Sequence, residues 1–263
     1  MEKNDFFSDF KNHRFRLYLK LLFLLRNFVS FLFGGETCLC CSKHTLGLPL
    51  CKNCLSLLFP EENAPSCSVC GKKLVSEIGI CFQCRNERTL KSVDRAFSIH
   101  GYQLWKKALL TAWKIYDKRT LSPYFATIFH KKLLEVEKFY GQTLPIVPVP
   151  PRKDKIRERG WDQIEELCFY LKKGWGVEVL PMLERLSRTQ QKKLDRTQRI
   201  ERISSSYALK SKEWLKKHKI QPPKAVILAD DVLTTGSTLE ACARELKKFG
   251  VEKVFALTLF TVD

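Results

Sequence analysis

The chain has 263 residues, of which 46 are lysine or arginine and 28 are aspartate or glutamate, so its formal net charge is +18. A content of 44% hydrophobic residues is sufficient for a buried core and excludes a disordered or fibrous protein. The length allows one medium domain and a smaller one, and the excess of positive charge favours a nucleic-acid partner.

Residues 1–36 are expected to form an N-terminal amphipathic helix. The apolar run from Leu17 to Phe33 carries two charged residues, whereas a spanning helix needs about 20 mostly uncharged ones. Polar residues recur at helical spacing, which favours a helix packed on the rest of the protein. The alternative is peripheral contact with anionic lipid. The basic residues available for that contact are Arg14, Arg16, Lys20 and Arg26.

Nine of the 11 cysteines lie between Cys38 and Cys84, which indicates a local metal site rather than a secreted disulfide scaffold. The N-terminus does not resemble a secretory signal, so a cytoplasmic protein is expected. Eight cysteines form four C-x-x-C pairs, and two such pairs complete the tetrahedral shell of one zinc ion. These eight are Cys38, Cys41, Cys51, Cys54, Cys67, Cys70, Cys81 and Cys84.

The pairs predict two structural Cys₄ zinc sites within residues 37–90. Sequential assignment, with the first four cysteines on one ion and the last four on the other, is the simplest; the spacing also allows an interleaved one. Cys40 is then a spare thiol, and His44 is an alternative ligand. Since thiolates fill both shells, no position is left for water or substrate, and the ions are expected to be structural.

A basic stripe is predicted between residues 188 and 202, where five basic residues follow one another at helical steps of four, four, three and three. Such a stripe can follow a DNA backbone electrostatically without reading its sequence. The candidate DNA-binding residues are Arg188, Lys192, Arg196, Arg199 and Arg202. Trp161, Tyr207 and Trp214 are candidates for stacking on single-stranded bases, or else ordinary core aromatics.

A β-α-β unit is predicted near the C-terminus. Val226 to Leu228 suits a buried parallel strand, Gly250 ends the following helix, and Val254 to Phe260 forms the next strand. Asp230 and Asp231 lie at the carboxyl end of the first strand. They can accept hydrogen bonds from sugar hydroxyls or hold a hydrated Mg²⁺.

The loop between this strand and its helix is rich in small hydroxyl residues. Backbone N–H groups at a helix N-terminus, together with the helix dipole and the hydroxyls, form a cradle for a monophosphate. The loop residues are Thr234, Thr235, Gly236, Ser237 and Thr238. With the two carboxylates beside it, the loop predicts a site for a phosphorylated sugar.

The segment VILADDVLTTGST, Val226 to Thr238, resembles the signature of type I phosphoribosyltransferases, which bind 5-phosphoribosyl-1-pyrophosphate (PRPP). The resemblance implies that Asp230 and Asp231 take the ribose hydroxyls. It also implies that residues 234–238 take the 5-phosphate, with Mg²⁺ bound alongside PRPP.

Nearly the whole chain from Cys38 onward resembles the ComF (ComFC-like) competence proteins. Besides the cysteine pairs, the resemblance rests on Tyr102 with Lys114 and on the segments 145–163 and 191–199. In that family a double zinc ribbon precedes a phosphoribosyltransferase domain. The family is associated with uptake of single-stranded DNA across the inner membrane in natural transformation.

The resemblance places a pyrophosphate loop at residues 152 to 159, where Arg152, Lys153 and Arg159 would neutralise a leaving pyrophosphate. Two departures from the family pattern stand out. Asp162 and Arg202 both occupy positions where asparagine is usual.

Together these features predict an α/β fold of the type I phosphoribosyltransferase kind, with a mainly parallel sheet over residues 91–263, behind a double zinc ribbon. The leading hypothesis is a PRPP-, Mg²⁺- and zinc-binding protein that supports single-stranded DNA uptake, with peripheral contact to the inner membrane or to the uptake machinery. An active phosphoribosyltransferase with an unknown acceptor is the alternative. A zinc-ribbon nucleic-acid module on a domain that binds no ligand is a third.

Overall fold

The computed structural model describes residues 9–32, 36–45, 49–58, 65–102, 104–186 and 206–262. The predicted basic stripe falls in the gap at 187–205. Arg188, Lys192, Arg196, Arg199 and Arg202 therefore lie outside the described residues.

The predicted N-terminal helix is present as α1, His13–Leu32. It follows a short segment in which Phe10 is buried and stacks on Trp175 with ring centroids 4.3 Å apart. Phe15 and Leu19 of α1 are buried in the same cluster. Among the described residues, the structure contains no helix long and apolar enough to cross a bilayer.

The cysteine-rich segment is made of short elements. Strands β1 (Glu36–Thr37) and β2 (His44–Thr45) pair antiparallel and are followed by helix α2 (Lys52–Leu58). A second copy of this arrangement has an antiparallel bridge between Ser66 and Lys73, followed by helix α3 (Phe82–Asn86). Such small elements bury little apolar surface of their own, so they depend on a metal or on neighbouring packing.

The central sheet has four strands, β3 (Arg95–Gly101), β4 (Ile146–Pro148), β7 (Ala225–Leu233) and β8 (Lys253–Thr261). Their order is β3-β8-β7-β4, and all neighbouring pairs are parallel. The prediction of an α/β fold with a mainly parallel sheet is confirmed. Two further strands, β5 (Leu183–Arg185) and β6 (Tyr207–Leu209), form a separate antiparallel pair.

Helices cover both faces of the central sheet. They are α4 (Leu104–Lys114), α5 (Ser122–Tyr140), α6 (Lys153–Arg159), α7 (Gln163–Trp175), α8 (Lys212–Lys217) and α9 (Ser237–Phe249), with a 3-10 turn at Arg119–Leu121. Ile227 packs in the core beneath α5 and α7, whereas its neighbours Val226 and Leu228 pack in the core that includes α9. This alternation explains why the strand sequence is apolar throughout.

The β-α-β unit extends slightly beyond its predicted bounds. Asp230 of β7 pairs with Thr258 of β8, and Gly250 ends α9 with a left-handed φ of 108°. Residues 153 to 159, expected as part of a loop, instead form the short helix α6. Asp154 in its first turn and Arg157 and Arg159 in its last turn all match the helix dipole, which favours the helical form.

Candidate functional site

Two adjacent carboxylates lie near the carboxyl end of β7. Asp230 and Asp231 line the same cleft at this edge of the sheet. Asp231 is buried, and its Oδ2 accepts hydrogen bonds from Lys114 Nζ at 2.5 Å and from Gln163 Nε2 at 2.9 Å. Its backbone N–H donates to Asp230 Oδ1 at 2.8 Å.

The electrostatics of the two carboxylates differ. Burial raises the pKa of Asp230 well above its ordinary value, the charge of Asp231 raises it further, and Lys114 offsets part of the effect. The protein therefore does not fully stabilise the negative charge of an ionised Asp230. A bound divalent cation, or hydrogen bonds from the hydroxyl groups of a sugar, would stabilise this charge.

The hydroxyl-rich loop leads directly from β7 into α9. Gly236 has a left-handed φ of 80°, and α9 begins at Ser237. The hydroxyls of Thr235 and Ser237 lie 3.0 Å apart, and Thr234 and Thr235 are exposed. Since the first N–H groups of a helix have no partner within the helix, this exposed turn can bind an anion.

The loop is supported from behind by the chain segment that follows α3. The left-handed φ of Gly236 favours glycine, and an added Cβ would lie 2.9 Å from Leu90 Cδ2, so the Leu90 side chain would have to shift. The carboxylate of Glu240, in the first turn of α9, accepts hydrogen bonds from the N–H groups of Lys91 and Ser92 and from the Ser92 hydroxyl, each at 2.8 Å. The chain that follows the cysteine-rich segment is thereby joined to α9.

The carboxylates line one cleft, with a volume of about 380 Å³, together with the two ends of the loop, Thr234 and Thr238. Six of the residues predicted to bind PRPP line it, namely Asp230, Asp231, Thr234, Thr238, Arg152 and Arg159. Thr235 and Gly236 instead face a crevice of about 30 Å³ shared with Cys70 and Cys84. Ser237 contacts Thr235 at the start of α9, and the side chain of Lys153 lies outside the described residues.

The cleft also contains residues that the sequence analysis did not assign to the site. Arg185 lines it and donates a hydrogen bond to the Tyr207 hydroxyl at 2.9 Å. Lys114 and Gln163 reach Asp231 from α4 and from the start of α7. Lys114 and Gln163 are both among the residues on which the family resemblance rests, and that resemblance was the sequence signal for their role. Their contact with Asp231 depends on the tertiary fold.

Asp162, one of the departures from the family pattern, caps α7. Its Oδ1 accepts hydrogen bonds from the N–H groups of Ile164 at 2.9 Å and Glu165 at 3.0 Å. Aspartate and asparagine are equally good at such a cap, so the substitution preserves the local structure. Burial raises the pKa of this carboxyl, although the two N–H donors lower it in part.

Of the three candidate stacking aromatics, Trp161 and Tyr207 line the cleft. Tyr207 is buried, and Arg119 lies over the Trp161 ring at 5.2 Å. Trp214 instead stacks on His218 with ring centroids 3.8 Å apart and packs against the core beneath α9. Trp214 thus packs as a structural aromatic, whereas Trp161 and Tyr207 belong to the cleft.

The cysteines form two groups in sequence order, with all sulfur atoms of a group within 4.8 Å of one another. The prediction of two Cys₄ groups is confirmed. The groups are Cys38, Cys41, Cys51 and Cys54, and then Cys67, Cys70, Cys81 and Cys84. Cys40 lies outside the first group, and His44 is an exposed residue of β2.

The geometry of both groups fits zinc. With Zn–S distances of about 2.3 Å, the sulfurs of a tetrahedral site lie about 3.8 Å apart. The Cys41–Cys51 and Cys70–Cys81 sulfur distances are 3.6 and 3.7 Å. In both groups the residue after the first C-x-x-C pair, Ser42 or Gly71, has a positive φ. The two groups are therefore built on the same turn.

Both Cys₄ groups pack on the α/β part of the chain. Cys38 and Leu50 belong to the core beneath α5 and α7, while Cys67 and Cys81 belong to the core beneath α9. A metal in either group would therefore stabilise the packing of the cysteine-rich segment on the sheet and its helices.

Comparison with known proteins agrees with this architecture. Residues 184–262 match the phosphoribosyl transferase domain family. The chain is 25% identical over 236 residues to Competence protein F of Haemophilus influenzae, covering 88% of this chain and 96% of that protein. It is 23% identical over 242 residues to Competence protein ComFC of Streptococcus pneumoniae, covering 90% and 91%. Together with the two Cys₄ groups, these matches fit a ComFC-like protein.

Metal content tests the Cys₄ groups directly. Protein purified under reducing conditions is expected to carry two zinc ions, measured by inductively coupled plasma mass spectrometry. Cys54→Ser removes a ligand of the first group and should leave about one ion. Cys40→Ser, a matched control at a cysteine outside the groups, should retain two. Fewer than two ions in the wild-type protein would contradict the assignment.

Proposed function

We propose that this ComFC-like protein binds PRPP together with Mg²⁺ and supports the uptake of single-stranded DNA across the inner membrane in natural transformation. The observation that supports the ligand proposal is that the carboxylates of β7 share one cleft with Thr234 and Thr238, the two ends of the hydroxyl-rich loop. A sugar phosphate needs both features, a cradle for its phosphate and acceptors for its hydroxyls.

Each part of PRPP has matching chemistry in the cleft. The exposed turn at residues 234–238 suits the 5-phosphate, and Asp230 and Asp231 suit the ribose hydroxyls. Arg152 and Arg159 lie on the same cleft and suit the pyrophosphate, since the guanidinium fork matches phosphate oxygens. We assign Lys153 to the same role from its place at the start of α6.

The residues present also fit Mg²⁺. Carboxylate and phosphate oxygens are the ligands this ion prefers, and the raised pKa of Asp230 indicates a carboxylate whose charge is under-compensated. When bound, Mg²⁺ would neutralise part of the charge on the phosphate groups. Lys114 and Gln163 hold Asp231 in place through their hydrogen bonds.

Three observations support the DNA part of the proposal. The net charge of +18 favours binding to a polyanion, and the basic residues between 188 and 202 follow one another at helical spacing. Both relatives are named as competence proteins. PRPP would then act as a bound ligand that stabilises or switches the DNA-binding form.

A second candidate function is phosphoribosyl transfer to an acceptor, with loss of pyrophosphate. It is favoured by the concentration of basic groups in the cleft, where Arg185 joins Arg152 and Arg159. These groups would stabilise charge on a leaving pyrophosphate. Pyrophosphate release that depends on a nucleobase or amine acceptor distinguishes this function from ligand binding alone.

The phosphate loop can be tested with two glycine variants of one helix. Gly236→Ala introduces strain at a left-handed φ and a contact with Leu90, which distorts the loop. We expect its affinity for PRPP and Mg²⁺, measured by isothermal titration calorimetry, to fall at least about tenfold. Gly250→Ala has the same kind of strain at the other end of α9 and should bind as the wild type does. Equal binding by Gly236→Ala would contradict the proposed phosphate site.

The DNA proposal is tested with Arg196→Ala/Arg199→Ala. Loss of two phosphate contacts should weaken binding to single-stranded DNA and reduce the slope of log affinity against log salt by about 1.4. Affinity for PRPP should not change. Lys216→Ala/Lys217→Ala, at two exposed residues of α8, is the matched control. A wild-type protein that does not bind single-stranded DNA at low salt would exclude this role.

A further inference from the structure

Helix α1 has an apolar face that packs on the protein. Phe15 and Leu19 are buried, and Phe23 lies partly buried one turn further on. Tyr170 and Trp175 of α7 are their neighbours in this cluster. The three α1 residues recur at steps of four and form one narrow stripe, as expected for a docked helix.

The same helix has a second apolar face that turns away from the protein. Its residues are between 59% and 66% exposed: Leu17, Leu21, Leu24, Leu25, Phe28 and Leu32. At 100° per residue these six positions fall within an arc of about 100°, roughly opposite the docked stripe. Contiguous exposed apolar surface of this kind marks an interaction site.

The charge of α1 indicates which partner the outward face binds. Helix α1 contains no aspartate or glutamate, and its first turn carries Arg14 and Arg16. A second copy of the chain would bring identical cations and a further +18 to the contact, which is repulsive. An anionic lipid surface supplies both the apolar layer that the leucines need and the negative charge that the arginines need.

We propose that α1 binds an anionic membrane surface, lying parallel to it with the outward face among the acyl chains. The docked stripe, with Phe15 and Leu19 buried, keeps the other side of the helix on the protein, so α1 lies on the bilayer and does not cross it. Half-buried Arg16 and Lys20 lie between the two apolar faces, the position where basic side chains extend towards lipid head groups. The inference rests on α1 alone and does not depend on the PRPP site.

The test is flotation of the full chain with vesicles of phosphatidylcholine and phosphatidylglycerol in equal parts, and with vesicles of phosphatidylcholine alone. The wild type is expected to bind the anionic vesicles more tightly. The triple variant Leu17→Gln/Leu24→Gln/Phe28→Gln should lose at least about tenfold in vesicle affinity. Because these three side chains are exposed, the variant should fold, which its zinc content and thermal unfolding verify.

Two further variants separate lipid insertion from nonspecific attraction. Leu57→Gln/Val75→Gln/Ile78→Gln changes three residues that are at least 77% exposed outside α1, and it should bind vesicles as the wild type does. Arg14→Gln/Arg16→Gln should weaken binding to anionic vesicles without affecting any binding to neutral ones.

Two results would overturn the proposal. One is that the α1 triple variant binds vesicles as tightly as the wild type does, because the attraction to the vesicles would then come from the general surface charge. The other is a lack of vesicle binding together with a concentration-dependent dimer, seen by sedimentation velocity, that the triple variant abolishes. That outcome would assign the outward face to a second copy of the chain.

Discussion

Two adjacent carboxylates at the end of a buried strand constrain the rest of the site. Like charges so close together in a partly dry environment are unfavourable unless cations or hydrogen-bond donors surround them. Asp231 has such partners in Lys114 and Gln163, which come from different helices. At Asp230, nearby cations and donors do not offset burial and the repulsion from Asp231, as the raised pKa of this carboxyl indicates. Lys114 of α4 and Gln163 of α7 meet at Asp231 on this edge of the sheet, and the Mg²⁺ that we propose would balance the remaining negative charge.

The cysteine-rich segment takes part in the same arrangement. Leu90 fills the space behind Gly236, and the N–H groups of Lys91 and Ser92 bind the carboxylate of Glu240. The hydroxyl-rich loop at residues 234–238 and the first turn of α9 are thus positioned by two interactions with the chain that leaves the second Cys₄ group. Metal in that group would contribute to the site at a distance, by ordering the segment against which the loop and the start of α9 pack.

Local signals made much of this architecture predictable. The C-x-x-C pairs, the apolar strand before Asp230 and the left-handed Gly250 each reflect constraints within a few residues. Contacts between distant segments were not predictable, because Lys114 is 117 residues from Asp231 and Glu240 is 148 residues from Ser92. Periodicity also failed to separate the two apolar faces of α1, since it reports hydrophobic positions without saying which of them the protein covers.

The most direct test of the central claim is calorimetric titration of the full, zinc-loaded chain with PRPP and Mg²⁺. We predict that the wild type binds, and that Asp230→Asn/Asp231→Asn does not, although it retains its zinc and its fold. Asp117→Asn, at an exposed aspartate outside the cleft, should bind normally. If the folded, zinc-loaded wild type binds no PRPP, the proposed ligand site is wrong. The function would then depend on the basic surface.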